Sequence, residues 1–163
     1  MPPRQLNEVS ECFLADPMRV VIDTQTLLDW QFFGNPVCQA WPLPGDETGW
    51  CWIATAAMRD ELAHVLARGF GPRWTVPAEL VLAFFDRHAS LQPARPAPPA
   101  LARALRCTDP DDQKFVDLAA DSAQWLISRD RAVLKLRRRA FTLTGLRIVA
   151  PADWPPGAQL PPP

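Results

Sequence analysis

Short apolar runs alternate with segments of helical periodicity along most of this chain of 163 residues. The strand-like runs occupy residues 19–22, 50–54, 125–128 and 146–149. Helical patterns occupy residues 26–33, 36–41, 55–67, 77–88, 110–120 and 131–138. Strands separated by helices are joined by right-handed crossovers, which build a mostly parallel sheet with helices on both faces. The alternation therefore predicts an α/β protein.

The composition is that of one globular domain with a single core. Hydrophobic residues make up 48% of the chain and charged residues 21%, which excludes an intrinsically disordered protein. The net charge of −1 gives no general attraction to nucleic acid or membrane, so a polyanionic partner would need a local basic patch. Neither a signal peptide nor an apolar run near 20 residues is found, which predicts a cytoplasmic protein without a membrane partner.

The domain is predicted to span residues 19–154. Residues 1–18 form an N-terminal extension in this interpretation, and residues 155–163 form a proline-rich tail. A second proline-rich stretch, 93–99, is predicted to be a loop, and residues 101–106 are ambiguous. The four cysteines show no C-x-x-C spacing, which argues against a structural zinc site.

A carboxylate stands directly after the first strand-like run. Val21 and Ile22 precede Asp23, and Asp130 lies in the same way just past the run at 125–128. An unpaired buried charge is costly, so such an Asp usually caps the following helix or belongs to a functional site. Working sites of parallel sheets lie beyond the carboxyl ends of the strands. Both acids are therefore candidates for a site.

Helical geometry singles out two more acids. At 100° per residue, Glu61 falls within about 40° of Val65, on the flank of the apolar face of its helix, whereas Asp60 falls well outside that face. Asp112 projects over the apolar face of the helix at 110–120. Asp109, which directly precedes a proline, is more simply explained as an N-cap.

Four carboxylates that converge on one place would repel one another and raise one another's pKa. No Lys or Arg in these segments is an obvious partner for all of them. A divalent cation resolves the conflict, and a ligand set made of oxygen atoms alone selects hard ions such as Mg²⁺ or Mn²⁺. We therefore expect a metal site.

These residues resemble the PIN-domain family and, within it, the branch of toxin components of toxin–antitoxin systems. The resemblance covers roughly residues 19–154 and depends on the order and spacing of the acids. The matching stretches are VVIDT at 20–24, EL at 61–62, DPDD at 109–112, SRD at 128–130 and IVAPA at 148–152. It implies a three-layer α/β/α sandwich with about five strands and a Mg²⁺- or Mn²⁺-dependent endoribonuclease. It also implies a cognate antitoxin and a homodimer as partners.

The resemblance assigns roles residue by residue. The family's four acidic positions are matched by Asp23, Glu61, Asp112 and Asp130, which would bind the metal and carry catalysis. Supporting positions are matched by Thr24, Ser128 and Asp109. The chain departs from the family at Gln25, where Asn is usual, and the longer side chain puts any ordering of Asp23 by this amide in doubt.

A basic run at residues 129–139 is the one local patch that could bind RNA phosphates. The candidates within it are Arg129, Arg131, Arg137 and Arg138. A solvated helix face is the competing interpretation of this run.

Three other functions compete with the nuclease. A phosphoacceptor regulator would need a further strand-end Asp and a nearby Lys, but Lys114 and Lys135 do not end strands. A phosphatase with an Asp-x-Asp nucleophile is disfavoured because Gln25 occupies the second acidic position. The third is a degenerate family member that binds RNA or a protein without cleaving.

Overall fold

Five parallel strands form one sheet in the computed structural model, which describes residues 17–154. They are β1 (Met18–Ile22), β2 (Trp50–Ala54), β3 (Ala89–Leu91), β4 (Trp125–Ile127) and β5 (Arg147–Val149). The order across the sheet is β3-β2-β1-β4-β5, with every neighbouring pair parallel. Helices cover both sides, so the predicted α/β sandwich is confirmed. Of the predicted extension at 1–18, residues 1–16 lie outside the described residues, as does the tail at 155–163, and Met18 belongs to β1.

The helices follow the predicted alternation. They are α1 (Thr24–Gln31), α2 (Pro36–Gln39), α3 (Ala56–Arg68), α4 (Ala78–His88), α5 (Pro99–Ala104), α6 (Gln113–Ser122), α7 (Arg131–Leu134) and α8 (Arg137–Thr144). Short 3₁₀ turns occupy Pro110–Asp112 and Pro151–Asp153. Within residues 17–154, no helix has the length and apolar character needed to cross a membrane.

Several elements differ from the sequence prediction: β3 was not predicted, and the helix predicted at 110–120 is a 3₁₀ turn at Pro110–Asp112 followed by α6. The single helix predicted at 131–138 is wrong, because the chain forms α7 and α8 with a break between them. Val133 before the break and Leu136 at the break are both buried in the core. The ambiguous region at 101–106 is largely helical, since α5 begins within the proline-rich stretch and ends at Ala104.

The centre of the sheet is buried on both faces, as a parallel sheet covered by helices requires. Val20 and Val21 of β1 and Leu126 and Ile127 of β4 are fully buried. The carboxyl ends of β1 and β4 lie side by side, because the strands are parallel and Ile22 pairs with Ile127. The residues that follow these two strands therefore meet at one edge of the sheet.

Four tryptophan side chains form an aromatic cluster within the core. The ring centroids of Trp41 and Trp50 each lie 4.9 Å from that of Trp154, and both contacts are edge-to-face. Trp30 of α1 packs beside them, 5.6 Å from Trp41. These indoles come from separate parts of the chain, so the cluster joins α1, β2 and the C-terminal 3₁₀ turn.

Candidate active site

A pocket of about 540 Å³ lies at the carboxyl edge of the sheet. Its lining residues are Asp23, Thr24, Gln25, Glu61, Val65, Asp112, Arg129, Asp130 and Arg131. The structure thus brings together all four acids singled out in the sequence, along with one of the supporting hydroxyls and two of the candidate arginines. Ser128 lies directly behind Asp23. Asp109, Arg137 and Arg138 are exposed and are not among the lining residues.

Asp23 both caps a helix and faces the pocket. Its Oδ1 accepts a hydrogen bond of 2.8 Å from the backbone N–H of Thr26, which caps α1, and its Oδ2 accepts one from the hydroxyl of Ser128. Asp23 is only 3% exposed. Burial raises its pKa, an effect that the hydrogen bonds from Ser128 and Thr26 oppose and the nearby charge of Asp130 reinforces. The two roles considered for this strand-end carboxylate therefore coexist.

Ser128 links the two strand-end acids. Its hydroxyl donates to Asp23, while its oxygen accepts a hydrogen bond of 3.0 Å from the backbone N–H of Asp130. Asp130 in turn caps α7, because its Oδ1 accepts from the backbone N–H of Ala132 at 2.6 Å. The buried hydroxyl therefore fixes the turn that presents Asp130 to the pocket.

Glu61 reaches the pocket from α3 and has two partners. The hydroxyl of Thr24 donates to its Oε1 at 2.9 Å, and the ammonium group of Lys114 forms an ion pair with its Oε2. Lys114 belongs to α6 and also donates to the backbone oxygen of Asp111. Sequence reasoning missed Lys114, because its contact with Glu61 depends on the packing of α6 against α3. Lys114 thus places a positive charge directly against one acid of the cluster.

Asp112 ends the 3₁₀ turn that leads into α6. Burial raises its pKa to about 6, and the charges of Asp130, Asp109, Asp23 and Glu61 act in the same direction. Asp109 caps this turn, since its Oδ1 accepts from the backbone N–H of Asp111 at 3.0 Å. The capping interpretation of Asp109 accounts for its position, and its charge adds to the field at Asp112.

The raised pKa of Asp112 predicts a pH-dependent cost to folding in the metal-free protein. A carboxyl with a folded-state pKa of about 6, against an ordinary value of 3.8, keeps its proton in the folded state after the unfolded chain has lost it. Stability from this group is therefore lost as the pH rises from about 4 through about 6. Asp112→Asn should become more stable relative to the wild-type protein over that range.

Urea unfolding of both proteins at pH 4 and pH 7, in the presence of a chelator, measures this difference. Asp111→Asn is the matched control, because Asp111 is the exposed neighbour in the same turn and does not line the pocket. A difference in unfolding free energy between Asp112→Asn and wild type that stays constant with pH would contradict the prediction.

The donor chemistry of the pocket fits a hard divalent cation. Its candidate ligands are carboxylates, the groups that Mg²⁺ and Mn²⁺ prefer. Burial and mutual repulsion raise the pKa of Asp23 and Asp112, and a bound cation would stabilise the charged form of both carboxylates. In the arrangement described for residues 17–154, however, no three His, Cys, Asp or Glu side chains are grouped closely enough to hold an ion. Mg²⁺ is commonly bound by one or two carboxylates and keeps several waters, so a site of that kind does not need three protein ligands.

The amide of Gln25 is not a hydrogen-bond partner of the Asp23 carboxylate. Its amide nitrogen lies 3.4 Å from Oδ1 of Asp29, one turn further along α1. Asp23 is ordered by the backbone of Thr26 and by Ser128 instead. The departure from the usual Asn at this position therefore leaves the first acid of the pocket fully anchored.

The fold and the pocket place this protein among α/β domains whose acidic residues converge at the carboxyl edge of a parallel sheet. The sequence profile of the PIN domain matches residues 19–132, and the chain belongs to the PIN-domain family. The matched segment contains all four acids of the pocket. No curated protein gives a significant match. PIN domains are generally nucleases that act on nucleic acids and usually use divalent metal ions.

Proposed function

We propose that this protein is a Mg²⁺- or Mn²⁺-dependent endoribonuclease whose catalytic and metal-binding residues are Asp23, Glu61, Asp112 and Asp130. One observation carries the proposal: carboxylates from four separate parts of a PIN domain line a single pocket. The same pocket contains two arginines, so it combines a place for a cation with groups that attract phosphate.

The hydrogen bonds around the acids suggest how the work is divided. Asp23 and Asp130 are each fixed by a helix cap and by Ser128, so they are suited to be direct ligands. Asp112 would bind directly or through water. Glu61, held by a hydroxyl and an ammonium group, would bind metal or orient the attacking water. A bound ion would supply a water of lowered pKa and stabilise the charge that develops on the phosphoryl oxygens.

Arginine side chains would hold the RNA backbone. Arg129 and Arg131 line the pocket, where they could contact phosphates next to the bond that is cleaved. Arg137 and Arg138 are exposed on α8, and we propose that they contact phosphates further along the strand. The structure leaves the solvated helix face as the competing interpretation of this second pair.

The biological role that we propose is the toxin of a type II toxin–antitoxin pair, acting in the cytoplasm. The proposal is supported by membership of the PIN-domain family. It is also supported by the resemblance of sequence stretches, including IVAPA at 148–152, to the toxin branch. An antitoxin protein and a second copy of the chain are the partners that this role requires.

A binding module without nuclease activity is the second candidate. It is favoured by the ion pair of Lys114 with Glu61, which gives one acid a counter-charge without any metal. Such a protein would retain RNA in the pocket and leave it intact.

Cleavage of a labelled single-stranded RNA separates the two candidates. We expect no cleavage in the presence of a chelator and cleavage after Mn²⁺ or Mg²⁺ is restored, because the carboxylates need a cation to act on a phosphodiester. Equal cleavage with and without chelator would refute the metal-dependent mechanism. RNA binding without cleavage under every condition would favour the binding module.

A further inference from the structure

A second buried carboxylate besides Asp23 lies beside the pocket, outside the four-acid cluster. Asp29 is 4% exposed and stands one helical turn after Gln25 on α1. Acidic residues are almost never buried to this degree without a partner, since an unpaired buried charge is costly. Neither the helix cap nor the metal site described above uses this residue. Its partners therefore indicate what it does.

Both partners of Asp29 belong to the pocket lining. Its Oδ1 accepts a long hydrogen bond of 3.4 Å from the amide nitrogen of Gln25, and its Oδ2 lies 3.0 Å from Nη1 of Arg129 in an ion pair that lacks hydrogen-bond geometry. Gln25 and Arg129 both line the pocket. The carboxylate thus lies behind the pocket wall and holds two of the side chains that form it.

Arg129 is anchored at one end and open at the other. Although Asp29 is buried, 52% of the Arg129 side chain is exposed. The guanidinium is a planar fork with five N–H donors, and the recorded ion pair uses Nη1. The ion pair keeps the guanidinium beside Asp29, and its N–H groups can still donate toward the pocket. This is the arrangement expected of a preorganised phosphate-binding arginine.

We propose that Asp29 is a positioning residue that fixes the Arg129 guanidinium for contact with an RNA phosphate beside the cleaved bond. This inference rests on the proposed ribonuclease function. It also gives Gln25 a role, because its longer amide reaches Oδ1 of Asp29, the oxygen that does not face Arg129. Asp29 itself does not contact RNA.

The proposal predicts a change in RNA affinity opposite to the one expected from net charge alone. Asp29→Asn removes a negative charge near a polyanion site, which by long-range electrostatics alone would strengthen RNA binding. We expect the opposite, a several-fold weaker affinity, because the guanidinium loses its fixed orientation. Arg129→Met should weaken binding about ten-fold, as expected for the loss of one charge-assisted hydrogen bond.

A double-mutant cycle tests the connection directly. Dissociation constants for a labelled single-stranded RNA are measured in the Asp23→Asn background, so that binding is followed without cleavage. Asp29→Asn is combined with Arg129→Met and, as the matched control, with Arg131→Met, since Arg131 lines the same pocket. The two changes in binding free energy should be less than additive in the Arg129 pair and additive in the Arg131 pair.

Additive effects in the Arg129 pair, or stronger binding by Asp29→Asn, would overturn the positioning role. If Asp29→Asn does not fold, Asp29→Leu combined with Arg129→Met removes both charges and should bind RNA as Arg129→Met does. Binding more than about three-fold weaker than Arg129→Met would also overturn it. A parent protein that binds no RNA at all would overturn the ribonuclease function itself, whereas RNA binding with additive effects overturns the positioning role alone.

Discussion

Replacement of Asp23 by Asn is expected to reduce RNA cleavage by on the order of a thousand-fold while the fold is retained. The neutral amide cannot serve as an anionic ligand in the pocket. The fold should survive because Asn is as good an N-cap as Asp and its oxygen can still accept from the backbone of Thr26. The hydroxyl of Ser128 can rotate to accept from the new amide.

Cleavage rates at saturating Mn²⁺, together with urea unfolding curves, measure the two halves of this expectation. Asp60→Asn is the matched control, since Asp60 is an exposed acid next to Glu61 on α3 and does not line the pocket. That variant should cleave at the wild-type rate. Full activity in folded Asp23→Asn protein would remove Asp23 from the catalytic residues.

The largest stability effect is expected at Phe115. Its side chain is 2% exposed on α6, the helix that packs against β1. Phe115→Ala should lower the unfolding free energy by about 3–5 kcal/mol, because the lost aromatic contacts leave a cavity. Lys114 and Asp112 lie at the start of the same helix, so a shift of α6 should also disturb the pocket.

Phe141→Ala is the comparison for Phe115→Ala. Phe141 is 42% exposed on α8, and its loss should cost less than about 1 kcal/mol. Equilibrium urea unfolding of both variants supplies the numbers. Similar losses in the two variants would show that the packing of α6 does not contribute as the burial of Phe115 indicates.

Much of the architecture could be predicted because local periodicity determines it. The strand-like runs at β1, β2, β4 and β5 are rich in apolar residues, and each was located within a residue or so. The remaining strand, β3, could not be recognised in this way. It has three residues, lacks a β-branched side chain and follows α4 without a turn, so only its pairing with β2 makes it a strand.

The candidate site, like the fold, could be predicted only in part from the sequence. The direction of Glu61 follows from helical geometry, and its side chain does reach the pocket. Asp112 also lines the pocket, but from the 3₁₀ turn before α6, to which the spacing of 100° per residue does not apply. The ion pairs of Lys114 with Glu61 and of Arg129 with Asp29 join distant parts of the chain. Such pairs depend on how elements pack, which no local pattern of residues specifies.

The position of Trp154 has a practical consequence for anyone who shortens this protein. The recognisable family segment ends at residue 132, yet Trp154 covers the rings of Trp41 and Trp50 from beyond that point. A fragment trimmed to the recognisable segment would also lack β5, which leaves the edge of β4 unpaired; uncovered indoles and an open strand edge both invite aggregation. Expression tags are better fused after residue 154 than at the end of the motif.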